Sequence, residues 1–398
     1  MDSQTPEENK PEAESHEQDT PKRGRARERQ RRRKERQMQA QPVSTTPRAA
    51  GHLNAARDFR FEMQGLNFKR LRLVAYTVGG AALIVVIVLL LGQFASEDEE
   101  LVLPNAVWIG TEWTYALHEP EAVEALAERL QAHNIGTVYA WISWLQEDET
   151  WRGAENFGAV RAFAEQFKEA YPQSNLYGWL SLPVNMGENN YRLDNEDIQQ
   201  SIADFSARAV SDLGFDGIFL NIEPVWDGDE NFLALLRKVR SEMPETVPLS
   251  VAVPPDWSPA GVDIPVPPLI VPGTEWTTTY KQSVALLVDE LAVMAYNSGL
   301  STPEDYTAWM AYQVRAFAEA IAELGGGTQV VIGIPTYDAE PPGHDPAVEN
   351  ITSAVAGVRT GLAAAGEAAA YVVGLAIYAD WTTDEDEWAD FRAAWVTP

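Results

Sequence analysis

Short apolar runs alternate with amphipathic helical patterns along residues 105–398. Eight of the runs have the length and the β-branched or aromatic content typical of strands. These predicted strands are AVWIGT (106–111), TVYAWISW (137–144), NLYGWLSLP (175–183), FDGIFLNIE (215–223), PLSVAVPP (248–255), ELAVMAYN (290–297), VVIGIPTY (330–337) and YVVGLAIYADW (371–381). Apolar residues spaced three or four apart predict helices over residues 120–133, 159–171, 195–213, 230–243, 303–324, 347–366 and 385–395.

This strand and helix alternation predicts an α/β fold. Eight units in roughly 290 residues fit a (β/α)8 TIM barrel, which takes about 250 residues in the typical case. An open doubly wound sheet is the alternative, but such a sheet usually has a glycine-rich phosphate turn after its first strand. The segment that follows the first strand, GTEWTYALHEP, has no such turn. In a barrel, the functional side chains are expected at the carboxyl ends of the strands.

An uncharged apolar run, LVAYTVGGAALIVVIVLLLGQF (73–94), precedes the barrel region. It is long enough to cross a bilayer as one helix. A cleaved signal peptide would need a short basic start and a small-residue cleavage site. Here about 72 residues precede the run, so we predict an uncleaved anchor.

Charge is divided across the 73–94 run. Residues 1–72 hold 17 of the 30 Lys and Arg and 11 of the 59 Asp and Glu, a balance of +6, and the other 13 basic and 48 acidic residues give −35. The positive-inside rule places the basic side in the cytoplasm. We therefore predict a single-pass protein of the cell membrane with a cytoplasmic amino terminus and an extracytoplasmic barrel.

Five segments follow from these patterns. Residues 1–55 are polar and rich in Pro, Glu, Gln and Arg, which predicts a disordered cytoplasmic tail. Residues 56–72 form a juxtamembrane segment, 73–94 the transmembrane helix, 95–104 an acidic linker and 105–398 the barrel. The arginine-rich stretch 22–36 could bind nucleic acid or anionic lipid, but a solvated topology signal is the favoured interpretation.

The fourth predicted strand ends in an acid. Because side chains alternate along a strand, Phe219, Asn221 and Glu223 share one face. Basic residues are scarce after residue 105, so an ion-pair partner for Glu223 is hard to find. A carboxylate in this place favours chemistry over a structural role.

The fourth strand resembles the signature strand of family 18 glycoside hydrolases, the chitinase-like barrels, which reads D-G-x-D-x-D-x-E. The sixth strand, VMAYN, is similar to the family's M-x-Y-D, and GIPTY is similar to its seventh-strand G-x-P-x-Y. GLAIYADW stands where the family has an inward tryptophan on its eighth strand. Two family aspartates are replaced by asparagine, Asn221 and Asn297, and a third by Phe219.

The resemblance implies a role for each matching residue. Glu223 corresponds to the general acid, and Tyr296 to the tyrosine that supports the reacting acetamido group. Tyr337 corresponds to the seventh-strand tyrosine, whereas Asn297 and Tyr378 stand where the family has aspartate and tryptophan, and all three are expected to contact substrate. In the family, the substrate's own 2-acetamido oxygen attacks the sugar carbon, an exception to the two-carboxylate rule. Asn221 could still accept from the acetamide N–H, but it lacks the negative charge of an aspartate.

Aromatic residues cluster at or after the strand ends. We expect Trp113, Trp179, Trp257 and Trp381 to stack on sugar faces, although tryptophan is buried on average and any one of them could belong to the core. Together they favour a polysaccharide or glycan substrate.

Other chemistries find little support in the sequence. Cysteine is absent and the five histidines lack metal-ligand spacing, so no metal and no cofactor are expected. The strong negative charge of the barrel argues against nucleic acid. The leading hypothesis is a glycoside hydrolase acting on β-linked N-acetylhexosamine glycans of the chitin or peptidoglycan type. A glycan-binding barrel with weak or no catalysis is the second hypothesis. A two-carboxylate retaining glycosidase, with Asp338 as its nucleophile, is the third.

Overall fold

A computed structural model describes residues 104–186, 190–257, 267, 275–339 and 341–397. Its eight strands are parallel and close into a barrel in chain order, with the eighth strand paired to the first. The strands are β1 (Asn105–Ile109), β2 (Ile135–Trp144), β3 (Asn175–Pro183), β4 (Gly217–Glu223), β5 (Leu249–Val253), β6 (Glu290–Val293), β7 (Gln329–Pro335) and β8 (Val372–Tyr378). The predicted TIM barrel is confirmed.

The helices follow the strands in the expected order. They are α1 (Thr111–Thr114), α2 (Pro120–Ala132), α3 (Phe157–Ala170), α4 (Glu196–Ser211), α5 (Glu230–Glu242), α6 (Thr278–Ala285), α7 (Pro303–Leu324), α8 (Ile351–Ala365) and α9 (Glu385–Phe391). Short 3-10 turns span Ala154–Asn156 and Gly366–Tyr371, and a π turn spans Arg392–Val396. Helix α6 was not predicted, because its first residues are β-branched threonines, which have low helix propensity.

The barrel has two apolar layers. Between the strands and the helices lies the larger one, which includes Ile218, Leu220 and Ile222 of β4. The smaller layer fills the inside of the barrel and includes Trp108, Tyr139 and Phe219 together with small residues such as Ala252 and Ala376. The alternation predicted for β4 is therefore confirmed, with Phe219 on the inner face.

Acidic residues at the element ends mostly have structural roles. Asp229 caps α5 by accepting from the amides of Asn231 and Phe232, and Asp384 forms a capping box at α9. Before β4, Asp216 accepts from Lys168 at 2.7 Å and from the amide of Leu176 at 2.9 Å. These contacts tie the start of β4 to β3 and α3.

The predicted membrane segment, 73–94, lies outside the described residues, as do the predicted tail, juxtamembrane segment and most of the acidic linker. Within the described part of the chain, no helix is both long enough and apolar enough to cross a bilayer.

Candidate active site

Glu223 is the last residue of β4, at the carboxyl-terminal mouth of the barrel. In the parallel register with β3, Asn221 pairs with Ser181 and Glu223 with Pro183. The carbonyl of Glu223 accepts from the amide of Val184 at 2.7 Å, which anchors the end of β4 to the chain leaving β3. The strand therefore holds the backbone of Glu223 rigidly while its side chain faces the mouth.

The environment of the Glu223 carboxyl favours its neutral form. Although the residue is exposed at the mouth, the surrounding barrel end partly desolvates its carboxyl group, and this desolvation raises its pKa. A side-chain hydrogen bond from Asn221 stabilises the ionised form and opposes that rise. Desolvation is the larger influence, so Glu223 is suited to hold a proton and to donate it.

Asn221 leaves one acceptor unused. The amide N–H of Asn221 donates to Glu223. Its Oδ1, on the same side-chain amide, is buried and has no hydrogen-bond partner among the described residues. Buried acceptors are normally paired. An unpaired amide oxygen beside a protonatable acid is a binding position for an N–H or O–H of a ligand.

Phe219 lies one inward position below Asn221 and closes the floor of the site. Its ring is 4.3 Å from that of Tyr139 and 5.6 Å from that of Trp108, measured between centroids. The residue is 1% exposed. The position where the family pattern has a second aspartate is therefore part of the packed barrel interior, and the neighbour below Glu223 and Asn221 is apolar.

An aromatic wall lies near the acid. The ring of Tyr378 stacks on that of Tyr296, with centroids 5.1 Å apart and planes at 16°, and it meets Tyr337 and Trp381 edge-on at 6.1 and 5.6 Å. Gly333 of β7 makes room for this arrangement. A Cβ at Gly333 would come within 3.2 Å of the Tyr296 ring and 2.7 Å of a β6 carbonyl. The wall thus consists of residues from the ends of three neighbouring strands.

The electrostatics of the wall keep its hydroxyl groups neutral. Burial raises the pKa of Tyr296 well above its ordinary value, and the neighbouring Tyr378 and Glu223 add to the effect. The pKa of Tyr378 is raised by burial and then by the charge of Glu223. Both tyrosines therefore feel the Glu223 charge and remain O–H donors at neutral pH.

Tyr296 and Asn297 lie beyond the end of β6, which stops at Val293 although a strand through Asn297 was predicted. Asn297 has a positive φ of 57°, a left-handed conformation that asparagine tolerates better than most residues. The hydroxyl of Tyr337 donates to Asn297 Oδ1. The structure therefore brings Glu223, Asn221, Tyr296, Tyr337, Tyr378 and Trp381 around one opening, with Asn297 joined to them through Tyr337.

The other three predicted sugar-stacking tryptophans are buried or half-buried. Trp179 is 7% exposed inside the barrel, edge-on to Trp141 at 4.7 Å. Trp113 packs against the outer core beside Phe163, and its indole N–H donates to Asp380 at 3.0 Å. Trp257 also packs against the outer core. Because packing neighbours occupy these rings, Trp381, 43% exposed, is better placed to meet a ligand.

Some residues that shape the mouth escaped the sequence analysis. Arg192 is 3% exposed and donates to the carbonyls of Leu145, Gln146 and Pro183, which joins the carboxyl ends of β2 and β3. Trp108 supports Tyr378 from below at 5.5 Å. The alternation of β1 could have identified Trp108 as inward, whereas no local pattern points to Arg192.

No family model and no curated protein matches this sequence. Solved structures do match, and three of them follow. The spore cortex-lytic enzyme SleL of Bacillus cereus has 11% identity over 72% of this chain and 73% of its own, with a TM-score of 0.48. A class V chitinase of Pseudomonas fluorescens Pf-5 has 14% identity over 73% of this chain and 98% of its own, with a TM-score of 0.47. A GH18 chitinase of Cycas revoluta in complex with (GlcNAc)4 has 15% identity over 73% of this chain and 99% of its own, with a TM-score of 0.47.

At such low identity and TM-score, the fold of this chain stands on its own closed topology, and the chemistry of the site must be argued from its own residues. Those residues offer a protonatable acid, an unpaired amide acceptor and a wall of neutral tyrosines. An acid and an acceptor held side by side can protonate one group of a ligand while orienting a second.

Proposed function

We propose that this protein is a glycoside hydrolase acting on β-linked N-acetylhexosamine glycans of the chitin or peptidoglycan type. Glu223 is the general acid, Asn221 orients the 2-acetamido group and Tyr296 supports it. Tyr337, Tyr378, Trp381 and Asn297 contact the sugar. The observation that carries the proposal is the pairing of a desolvated Glu223 with an Asn221 whose buried Oδ1 is unpaired.

The proposed chemistry is substrate-assisted. Glu223 donates its proton to the glycosidic oxygen as the bond to the sugar carbon breaks, and the acetamido oxygen of the same sugar forms a new bond to that carbon. Asn221 Oδ1 accepts from the acetamido N–H and aligns the attacking oxygen. A water molecule then adds to the sugar carbon and returns its proton to Glu223, while the bond to the acetamido oxygen breaks.

A glycan-binding barrel with weak or no catalysis is the second candidate. It is favoured by the replacement of the charged neighbours of the acid, since Phe219 and Asn221 carry no negative charge to stabilise the cation that forms on the acetamido group. The aromatic wall would serve binding equally well.

The deciding experiment compares wild type with Glu223→Gln on an N-acetylglucosamine oligomer. Glutamine keeps the shape of the side chain but has no acidic proton, so kcat should fall about 10²–10⁴-fold with little change in affinity. This loss corresponds to about 3–5 kcal/mol of activation free energy. An unchanged kcat would place the acid elsewhere, and a wild type that binds but does not cleave would favour the binding barrel.

We also propose that residues 73–94 anchor the protein in the cell membrane, with the amino terminus in the cytoplasm and the barrel outside. The proposal rests on the uncharged run of 22 residues and on the change from a basic to an acidic balance across it. A barrel held at the outer surface would meet cell-wall or external glycans.

A further inference from the structure

A buried acid and a buried histidine lie behind the aromatic wall, in the loop between β7 and α8. The side chains of His344 and Glu349 are 0% and 1% exposed, and His344 Nδ1 is 3.0 Å from Glu349 Oε2. A buried carboxylate is costly unless several donors surround it. The donors around Glu349 come from the segment that carries Asn297.

Glu349 binds two successive backbone amides of that segment. Its Oε2 accepts from the amide of Asn297 at 2.8 Å, and its Oε1 accepts from the amide of Ser298 at 2.7 Å and from the Ser298 hydroxyl. Consecutive amides around a left-handed residue form a concave site that suits an anion. The carboxylate of Glu349 therefore stabilises the positive φ of Asn297.

His344 joins the same carboxylate to Tyr337. While its Nδ1 faces Glu349, its Nε2 is 2.8 Å from the carbonyl oxygen of Tyr337, and its ring lies 4.1 Å from the Tyr337 ring. Carboxylate and carbonyl oxygens only accept, so a ring nitrogen of His344 that carries a proton donates to one of them. The backbone of Tyr337 is held by the pair that also holds Asn297.

The circuit closes at the mouth of the barrel. The Tyr337 hydroxyl donates to Asn297 Oδ1, so the carbonyl end of the Asn297 amide is occupied. The exposed group that Asn297 can offer to a ligand is its N–H2, a donor with a fixed direction. Glu349, His344, Tyr337 and Asn297 form one closed ring of hydrogen bonds, which we name the Glu349 circuit.

We propose that Glu349 and His344 are positioning residues, which hold the N–H2 of Asn297 and the ring of Tyr337 ready for an acceptor oxygen and an apolar face of the sugar. This role rests on the proposed function. The buried pair reaches the glycan only through Asn297 and Tyr337. Because Asn297→Ala removes the Asn297 N–H2 and also the acceptor of the Tyr337 hydroxyl, most of the contribution of the pair should be lost in that background.

The test is a double-mutant cycle of Glu349→Gln and Asn297→Ala, with binding of an N-acetylglucosamine oligomer measured by calorimetry. All variants carry Glu223→Gln, so that the oligomer is not cleaved during the titration. Glu349→Gln replaces one acceptor oxygen by a donor, so at least one contact of the circuit breaks. We expect it to raise Kd about 3–10-fold with Asn297 intact and less than about twofold with Asn297→Ala.

Glu290→Gln is the matched control. Glu290 is also a buried glutamate, but it lies at the amino end of β6, where Tyr139 and Ser250 donate to it. Its substitution should affect stability and leave Kd unchanged. If Glu349→Gln prevents folding, His344→Gln replaces it in the cycle, because His344→Gln breaks the circuit and leaves the Glu349 carboxylate in place.

Three results separate the possibilities. Loss of the Glu349→Gln effect in the Asn297→Ala background, with faster hydrogen exchange at the amides of Asn297 and Ser298, supports the Glu349 circuit. Equal effects in both backgrounds, with binding retained, overturn the positioning role and leave the proposed function standing. Absence of oligomer binding by the Glu223→Gln parent and by wild type overturns the proposed function, and the positioning role with it.

Discussion

Substitution of Asn221 by aspartate keeps the shape of the side chain and places a negative charge beside the proposed acid. In wild type, the Asn221 amide donates to Glu223 and stabilises its ionised form. In Asn221→Asp, that donor is lost and a second carboxylate stands two residues away on the same face of β4. Both changes favour the protonated form of Glu223.

The size of the effect follows from the contact between the two side chains. Two like charges about 4 Å apart repel by about 4 kcal/mol at an effective dielectric constant of about 20. The acid should then remain protonated to higher pH, so the alkaline limb of kcat/KM against pH should move upward. The two carboxyls should titrate as a pair rather than as separate groups.

The assay is kcat/KM on a chromogenic N-acetylglucosamine oligomer from about pH 4 to 9, together with a carbon-13 NMR titration of labelled glutamate. Glu223→Gln identifies the Glu223 resonance. Asn221→Ala is the control, because it removes the donor without adding charge and should move the limb less. If Asn221→Asp is folded and its alkaline limb and its Glu223 titration stay at the wild-type pH, Asn221 does not control the acid and our reading of the pair is wrong.

Two further predictions concern the aromatic wall and the membrane segment. Trp381→Ala should raise Kd for the oligomer about tenfold, with little dependence on salt, because a stacking ring is lost. The control is Leu286→Ala, at an exposed residue in the loop before β6. A steep salt dependence of binding would argue against stacking. Protease added to intact cells should degrade the barrel and spare an epitope at the amino terminus, whereas protection of the barrel would overturn the proposed topology.

The barrel itself could be predicted from local patterns. β3 was predicted with the bounds that the structure shows, and so was α7, whose start at Pro303 follows the cap residue Thr302. The inner face of β4 was predicted from alternation alone, because side chains of a strand point to opposite sides whatever the strand packs against. These features depend on neighbours in the chain, and the sequence contains them.

The burial of the tryptophans that follow strands could not be predicted from local patterns. Trp113, Trp257 and Trp381 all follow strands, and a chain of alternating elements cannot tell which of them turns toward the mouth. The structure packs Trp113 and Trp257 against the outer core and leaves Trp381 exposed beside Tyr378. The difference arises because each ring packs into the space between the surrounding helices and loops, and closure of the barrel sets the shape of that space.

What the sequence determined by itself is the order of strands and helices, the inward face of β4 and the presence of Glu223 and Asn221 at its end. Only the tertiary structure decided that the Asn221 oxygen is unpaired, that desolvation outweighs its hydrogen bond to Glu223, and that Glu349 binds the amides of a segment about fifty residues earlier in the chain. The physical reason is the separation along the chain over which each interaction acts. Alternation and capping act between residues a few positions apart, whereas burial and hydrogen-bond partnership depend on which distant segments the closed barrel brings into contact.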